Sequence, residues 1–202
     1  MADDVFEPLV RQALPRLTAL RELVLTGATH TTPRAWVALA MALRPDVRAS
    51  LRVLSLELCP SIDGEGAAAL LGSGPEGAAL APLAALRVLR LDCGHERSAS
   101  EGLEAALRQG RLPSLRVLGM HRARLRVPLA EALQGSGLEE LELGLGSFVA
   151  GAAAAALGAA LGTMPRLRRV DMGRVKGEPG AVQTLMRAWA AGGLPSSLEL
   201  VL

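Results

Sequence analysis

The chain has no tyrosine and no asparagine, one lysine (Lys176), one isoleucine (Ile62) and two cysteines (Cys59 and Cys93), with two tryptophans and two phenylalanines among its 202 residues. Each scarcity removes a class of chemistry. Two cysteines are too few to staple a small secreted scaffold, so a reduced cytoplasmic setting is expected. The acidic opening Met1-Ala2-Asp3-Asp4, with no apolar run behind it, does not read as a secretory signal. The single lysine lies outside any Gly-rich phosphate loop, and no G-x-S-x-G phrase occurs. So few aromatic rings leave no platform on which bases stack. The formal net charge of +2 sets up no field that calls for nucleic acid or an anionic membrane. Alanine, glycine, leucine and arginine dominate instead, as GC-rich coding would produce.

What the chain does have is an internal repeat. Leu20-Arg21-Glu22-Leu23-Val24-Leu25 returns as Leu51-Arg52-Val53-Leu54-Ser55-Leu56 and as Leu86-Arg87-Val88-Leu89-Arg90-Leu91. Three more copies begin at Leu115, Leu138 and Leu167, and a clipped seventh begins at Leu198. Their first leucines are 31, 35, 29, 23, 29 and 31 residues apart. A period of this length means a stack of supersecondary units, each burying its apolar face against its neighbours.

Within a copy, leucines at the first, fourth and sixth places alternate with polar or small residues, which predicts a short strand with one buried face. Between copies, apolar residues recur at helical spacing: Trp36, Leu39, Ala40 and Leu43; Leu103, Ala106 and Leu107; Val182, Leu185, Met186 and Trp189. Prolines at 15, 113, 165 and 195, with Pro45 and Pro82 in similar places, are expected to end helices and lead back to the sheet. The long interval predicts an expanded loop near Gly72 to Gly77, and the short one a short helix around Leu129 to Leu133. Phe6, Leu9, Val10 and Leu14 share one helical face and predict an N-terminal cap. The uncharged run Leu143 to Met164 is 22 residues long, but it begins inside a repeat phrase and carries five glycines, so a membrane span is not expected.

The stretch Cys59-Pro60-Ser61-Ile62-Asp63-Gly64-Glu65-Gly66-Ala67, followed by Leu70, resembles leucine-rich repeat proteins of the ribonuclease-inhibitor-like class, and the resemblance extends from about Leu9 to Leu202. It implies an α/β solenoid: a right-handed βα horseshoe with about seven short parallel strands on the concave face and helices on the convex face. The whole of 1–202 is then one leucine-rich repeat domain, with an N-terminal helical cap at 1–19, six repeats at 20–197 and an uncapped terminal strand at 198–202. In that class the place of Cys59 is held by Asn or Cys, whose side chain bonds to the backbone between units. The equivalent places here are Ala28, Gly94, Ala123, Gly146 and Val175, so most of that polar spine is missing.

The residues expected to face a partner are those between the leucines: Glu22, Glu57, Arg90, Asp92, His121, Glu140, Glu142, Arg169 and Asp171. Carboxylates outnumber guanidiniums six to two in this set, which suits a partner with a basic surface. The expected function is noncatalytic protein binding, as an adaptor or a structural subunit, with no cofactor, no nucleic acid and no membrane. Two alternatives stand beside it. Some proteins of the resembled class regulate small GTPases, and an apolar strand at Leu198 to Leu202 invites association through its edge or continuation into a larger scaffold.

Four further features admit both a functional and an ordinary reading. Arg21, Arg52, Arg87, Arg116 and Arg168 recur at the second place of the phrase and are expected to form surface ion pairs. His121, Arg122, Arg124 and Arg126 make a basic loop. Cys59, Cys93, His95 and His121 fall near one edge of the stack but lack C-x-x-C or H-E-x-x-H spacing for a metal. The alanine run from Ala152 to Leu161 offers a smooth surface suited to the close docking of a partner helix, and GC-rich coding accounts for the alanines equally well.

Overall fold

The computed structural model describes residues 8–77, 79–92, 98–144, 146–173, 175–192 and 199–201. Each repeat phrase forms a strand because its leucines all fall on one side of the pleat. The strands are β1 (Glu22–Thr26), β2 (Val53–Glu57), β3 (Val88–Asp92), β4 (Val117–His121), β6 (Glu140–Leu143), β8 (Arg169–Asp171) and β10 (Glu199–Val201). They make one parallel sheet in the order β1-β2-β3-β4-β6-β8-β10, open at both edges and not closed into a barrel. Register is conserved throughout. Leu23, Leu54, Leu89, Leu118, Leu141, Val170 and Leu200 form one row and, Leu200 apart, are buried in a single continuous apolar core.

Parallel strands need a crossover, and helices supply it. They are α1 (Pro33–Ala42), α2 (Pro45–Ser50), α3 (Gly64–Leu71), α4 (Gly74–Gly77), α5 (Ser98–Arg108), α6 (Val127–Ala132), α7 (Gly151–Gly162) and α8 (Ala181–Gly192). Asp63 caps α3 by accepting the Gly66 N–H at 2.8 Å, and Gly72, at φ +76°, ends it in the left-handed conformation. Three two-residue strands, β5 (Arg124–Leu125), β7 (Phe148–Val149) and β9 (Lys176–Gly177), form a second parallel sheet where the chain leaves the main one.

Several expectations are met and several are revised. The short unit does carry a short helix, α6. Pro113 and Pro165 lie in the turns that lead from helix to strand. Pro45 instead opens α2, because a residue without an N–H is tolerated in a first helical turn. The segment near Gly72 to Gly77, expected as loop, contains the single turn α4. At the N-terminus, Val10 and Leu14 are buried in a π turn (Leu9–Ala13) and a 3-10 turn (Leu14–Arg16); Phe6 lies outside the described residues. Among the described residues no helix is long and apolar enough to cross a membrane; the uncharged run divides between β6, β7 and α7.

The alanine run has its partner within the chain. α8 packs on α7 more extensively than any other helix pair, with Gly158 against Ala188 and Trp189 and Gly162 against Gly192. A Cβ on Gly158 would lie 2.8 Å from the Ala188 Cβ and 3.0 Å from the Trp189 nitrogen. Small side chains on α7 therefore serve close approach, and only Ala152 and Ala159 of its alanines stay exposed.

Hydroxyl groups take over part of the missing spine. The Cys59 thiol lies within reach of two carbonyls, Glu57 of its own unit at 3.2 Å and Leu25 of the preceding unit at 3.5 Å. Ser61 donates to Ala28 at 3.0 Å, and Ser73 to Gly102 at 2.9 Å. Buried Ser147 donates to Met120 at 3.2 Å and accepts the Ala123 N–H at 3.3 Å. Arg48 supplies another tie. Fully buried, it donates from Nε to Ala81 at 2.7 Å and from Nη2 to Leu70 at 3.0 Å, joining the end of α3 to the segment before β3.

Candidate functional site

The leucine side of the main sheet is covered by helices, so the alternate residues form its open side. Three rows cross it. The first runs Glu22, Val53, Val88, Val117, Glu140, Arg169, Glu199; the second Val24, Ser55, Arg90, Gly119, Glu142, Asp171, Val201. In the third, at the C-terminal ends of the strands, Thr26 pairs with Glu57 and Asp92 with His121. The nine residues expected to face a partner thus all sit on one side of the sheet, spread from its first strand to its sixth.

Their electrostatic states differ. Arg90 reaches across the intervening strand to Glu142, with Nε–Oε2 at 3.0 Å and Nη2–Oε1 at 3.1 Å. That bond, and then the charges of Glu142, Glu57 and Glu140, raise the Arg90 pKa above its ordinary value against the opposing effect of burial. Arg169 bonds to Asp171 and Glu199 at 3.3–3.4 Å, and its pKa is raised first by Asp171 and then by Glu199. Asp92 is 1% exposed and is held by Arg122, whose Nε lies 2.7 Å from its Oδ1. Glu22, Glu57 and Glu140 form no ion pair among the described residues. Glu22 is exposed, while Glu57 accepts only the Ser55 hydroxyl, at 2.9 Å.

A cleft of about 330 Å³ opens where β2, β3 and β4 end, lined by Glu57, Leu58, Asp92, His121 and Arg122. Two of these residues have unusual backbones: Leu58 at φ +53° and Arg122 at φ +52°. Left-handed conformation costs a non-glycine residue about 1–2 kcal/mol. Leu58 occupies it while 61% exposed, so core packing does not hold it there. Periodicity had no means of finding this leucine, because a leucine beside a strand reads as core. His121 lies over Gly144, where a Cβ would collide with the imidazole, and the ring flanks the cleft for that reason.

The basic loop is largely neutralised. Arg122 binds Asp92, Arg126 pairs with Glu101, and Arg124 sits 5.8 Å from the centre of the Phe148 ring. Cys93 and His95 lie outside the described residues. Among the described residues no group of three or more His, Cys, Asp or Glu is arranged to hold a metal. Burial, the largest influence on Cys59, raises its thiol pKa, which fits a packing role.

Arranged in this way, the open side can accept a cationic group at the cleft beside Glu57 and hydrogen-bond donors at Glu22 and Glu140 of the first row. In comparisons of the sequence, no family model matches this chain, and no curated protein matches it.

Proposed function

We propose that the chain is a single-domain leucine-rich repeat solenoid of the ribonuclease-inhibitor-like class that acts as a noncatalytic protein-binding module. Its partner lies along the open, concave side of the main sheet. A lysine or arginine of that partner enters the cleft beside Glu57, and Leu58 packs on the apolar stem of the same residue. Glu22 and Glu140 then meet further basic groups along the first row.

The observation that carries this reading is Leu58. It is a large apolar side chain, held outward in a strained conformation at the mouth of an acidic cleft. Strain of this kind gathers at ligand contacts, where a partner offsets it. The carboxylate of Glu57 beside it, which forms no ion pair among the described residues, sets the sign of the group it accepts. Glu142 is a poorer contact because Arg90 already occupies both of its oxygens.

The test is affinity capture from the source cell's lysate with immobilised wild type and with the Glu57→Lys/Glu140→Lys variant. Both positions are half-buried on the open side of the sheet, outside the apolar core, so far-ultraviolet circular dichroism is expected to stay unchanged. A protein retained in stoichiometric amount by wild type and lost from the variant supports the reading. Equal retention on both contradicts it.

A further inference from the structure

Of the arginines at the second place of the phrase, Arg116 forms the expected ion pair, with Glu139, and the first three do not. Arg21, Arg52 and Arg87 are all exposed, and none forms an ion pair or a side-chain hydrogen bond among the described residues. They stand directly next to one another. The Arg21 carbonyl accepts the N–H groups of both Arg52 and Val53, at 2.7 and 3.1 Å. The Arg52 carbonyl likewise accepts those of Arg87 and Val88, at 2.8 and 3.0 Å. The three residues therefore form a ladder one strand spacing apart, about 4.8 Å per step. Like charges set directly opposite on neighbouring strands repel, so this arrangement works against the folded sheet.

Arg116 comes next, its N–H donating to the Arg87 carbonyl at 2.8 Å, but its charge is compensated. Arg116 lies 3.7 Å from Glu139, which holds the next place in the row and separates it from Arg168. Arginine therefore fills the first four places of the row, but only the fourth, Arg116, has a carboxylate beside it, so uncompensated charge gathers on Arg21, Arg52 and Arg87. The ladder lies where the chain enters the strands, at the opposite end from the acidic cleft.

We propose that Arg21, Arg52 and Arg87 form a second docking surface, for an acidic α-helix of a partner protein. A helix that carries carboxylates at i, i+4 and i+7 presents one about every 5.4 Å along its axis. Over the two steps of the ladder the mismatch is about 1 Å, which a flexible arginine side chain absorbs. An extended peptide fits less well, because its same-side residues are about 6.6 Å apart. Nucleic acid is disfavoured because no aromatic side chain interleaves with the ladder. This surface differs in place and sign from the cleft, so it stands or falls separately from the function proposed above.

The experiment is fluorescence anisotropy of a labelled helical peptide bearing glutamates at i, i+4 and i+7, titrated with the full chain. A second peptide of the same composition has its glutamates spread around the helix, and unlabelled inorganic polyphosphate and single-stranded DNA serve as competitors. The expected result is saturable binding that is about tenfold weaker for the Arg21→Gln/Arg52→Gln/Arg87→Gln variant and weaker at higher salt. Arg52→Gln alone, at the centre of the ladder, should give a smaller loss in the same direction if the triple variant folds poorly. Equal binding of the two peptides, or no loss in either variant, would overturn the proposal. Displacement by polyphosphate or DNA at lower concentration than by unlabelled peptide would overturn it in favour of a polyanion surface.

Discussion

Arg90 and Glu142 meet across two strand spacings, paired through both guanidinium and carboxylate edges, because the residue between them on β4 is Gly119. A Cβ at Gly119 would lie 2.9 Å from the Arg90 Cγ and 3.1 Å from Glu142 Oε2. The glycine therefore leaves the channel through which the pair forms. Both side chains remain partly open to water, 34% and 24% exposed, so their coupling is modest, about 0.5–1 kcal/mol. A double-mutant cycle with Arg90→Ala and Glu142→Ala, read by urea unfolding, should give that value. The same cycle in a Gly119→Val background should give a coupling near zero.

Gly158 is a stricter requirement. Alanine has the better helix propensity by about 1 kcal/mol, so a freely exposed α7 would gain from Gly158→Ala. The close approach of α8 reverses the sign, because the added methyl meets backbone as well as Ala188. Gly158→Ala should destabilise the chain by about 1–3 kcal/mol in urea unfolding, and Gly158→Val by more.

The Cys59 thiol is fully buried and its pKa is raised. In a Cys93→Ser chain at pH 8, iodoacetamide should leave Cys59 unmodified in the folded state and label it fully in urea. Folding holds the thiol proton more tightly than the unfolded chain does. The thiol's contribution to stability is therefore intact below its ordinary value of 9.0 and is lost as pH rises from there through the folded value.

Arg48 combines a gain with a penalty. Burial, and secondarily the charge of Arg111, lower its pKa to about 10, so it remains charged at neutral pH. That penalty fades as pH rises above about 10, while the bonds to Leu70 and Ala81 persist. Arg48→Met should destabilise by about 1–3 kcal/mol, because the buried Leu70 carbonyl and the partly buried Ala81 carbonyl lose their donors. Arg48→Lys should recover less than half of the loss, since one ammonium does not bridge both carbonyls.

The seven strands of the main sheet, their order and their buried rows were legible because the leucine alternation within each phrase leaves one solution for the core, whereas the three two-residue strands of the second sheet carry no such phrase. The short α6 followed from the short interval between Leu115 and Leu138. Other features depend on contacts far apart in sequence. The face of α7 reads as a vacant surface until α8 is laid on Gly158 and Gly162. The arginines read as members of ion pairs until their carbonyls and N–H groups place four of them side by side, with a carboxylate beside only the last. For the candidate site, alternation gave the residues of the open face. It did not distinguish buried Asp92 from open Glu57, because the difference lies in the reach of Arg122 from a turn at positive φ. Leu58 was hidden for the opposite reason: its residue type points inward and its backbone turns it outward.

The central claim is that a protein partner seats on Leu58 and Glu57 at the cleft, and Leu58→Gly tests it most directly. Glycine removes the left-handed strain and the exposed side chain together, so urea unfolding should show the variant about 1 kcal/mol more stable than wild type. Capture of the partner that wild type retains should nevertheless fall at least about tenfold, as expected when a central apolar contact of about 1.4 kcal/mol or more is removed. A variant that is stabilised and still captures the same protein in the same amount would contradict the account, and would make the conformation of Leu58 a feature of the turn alone.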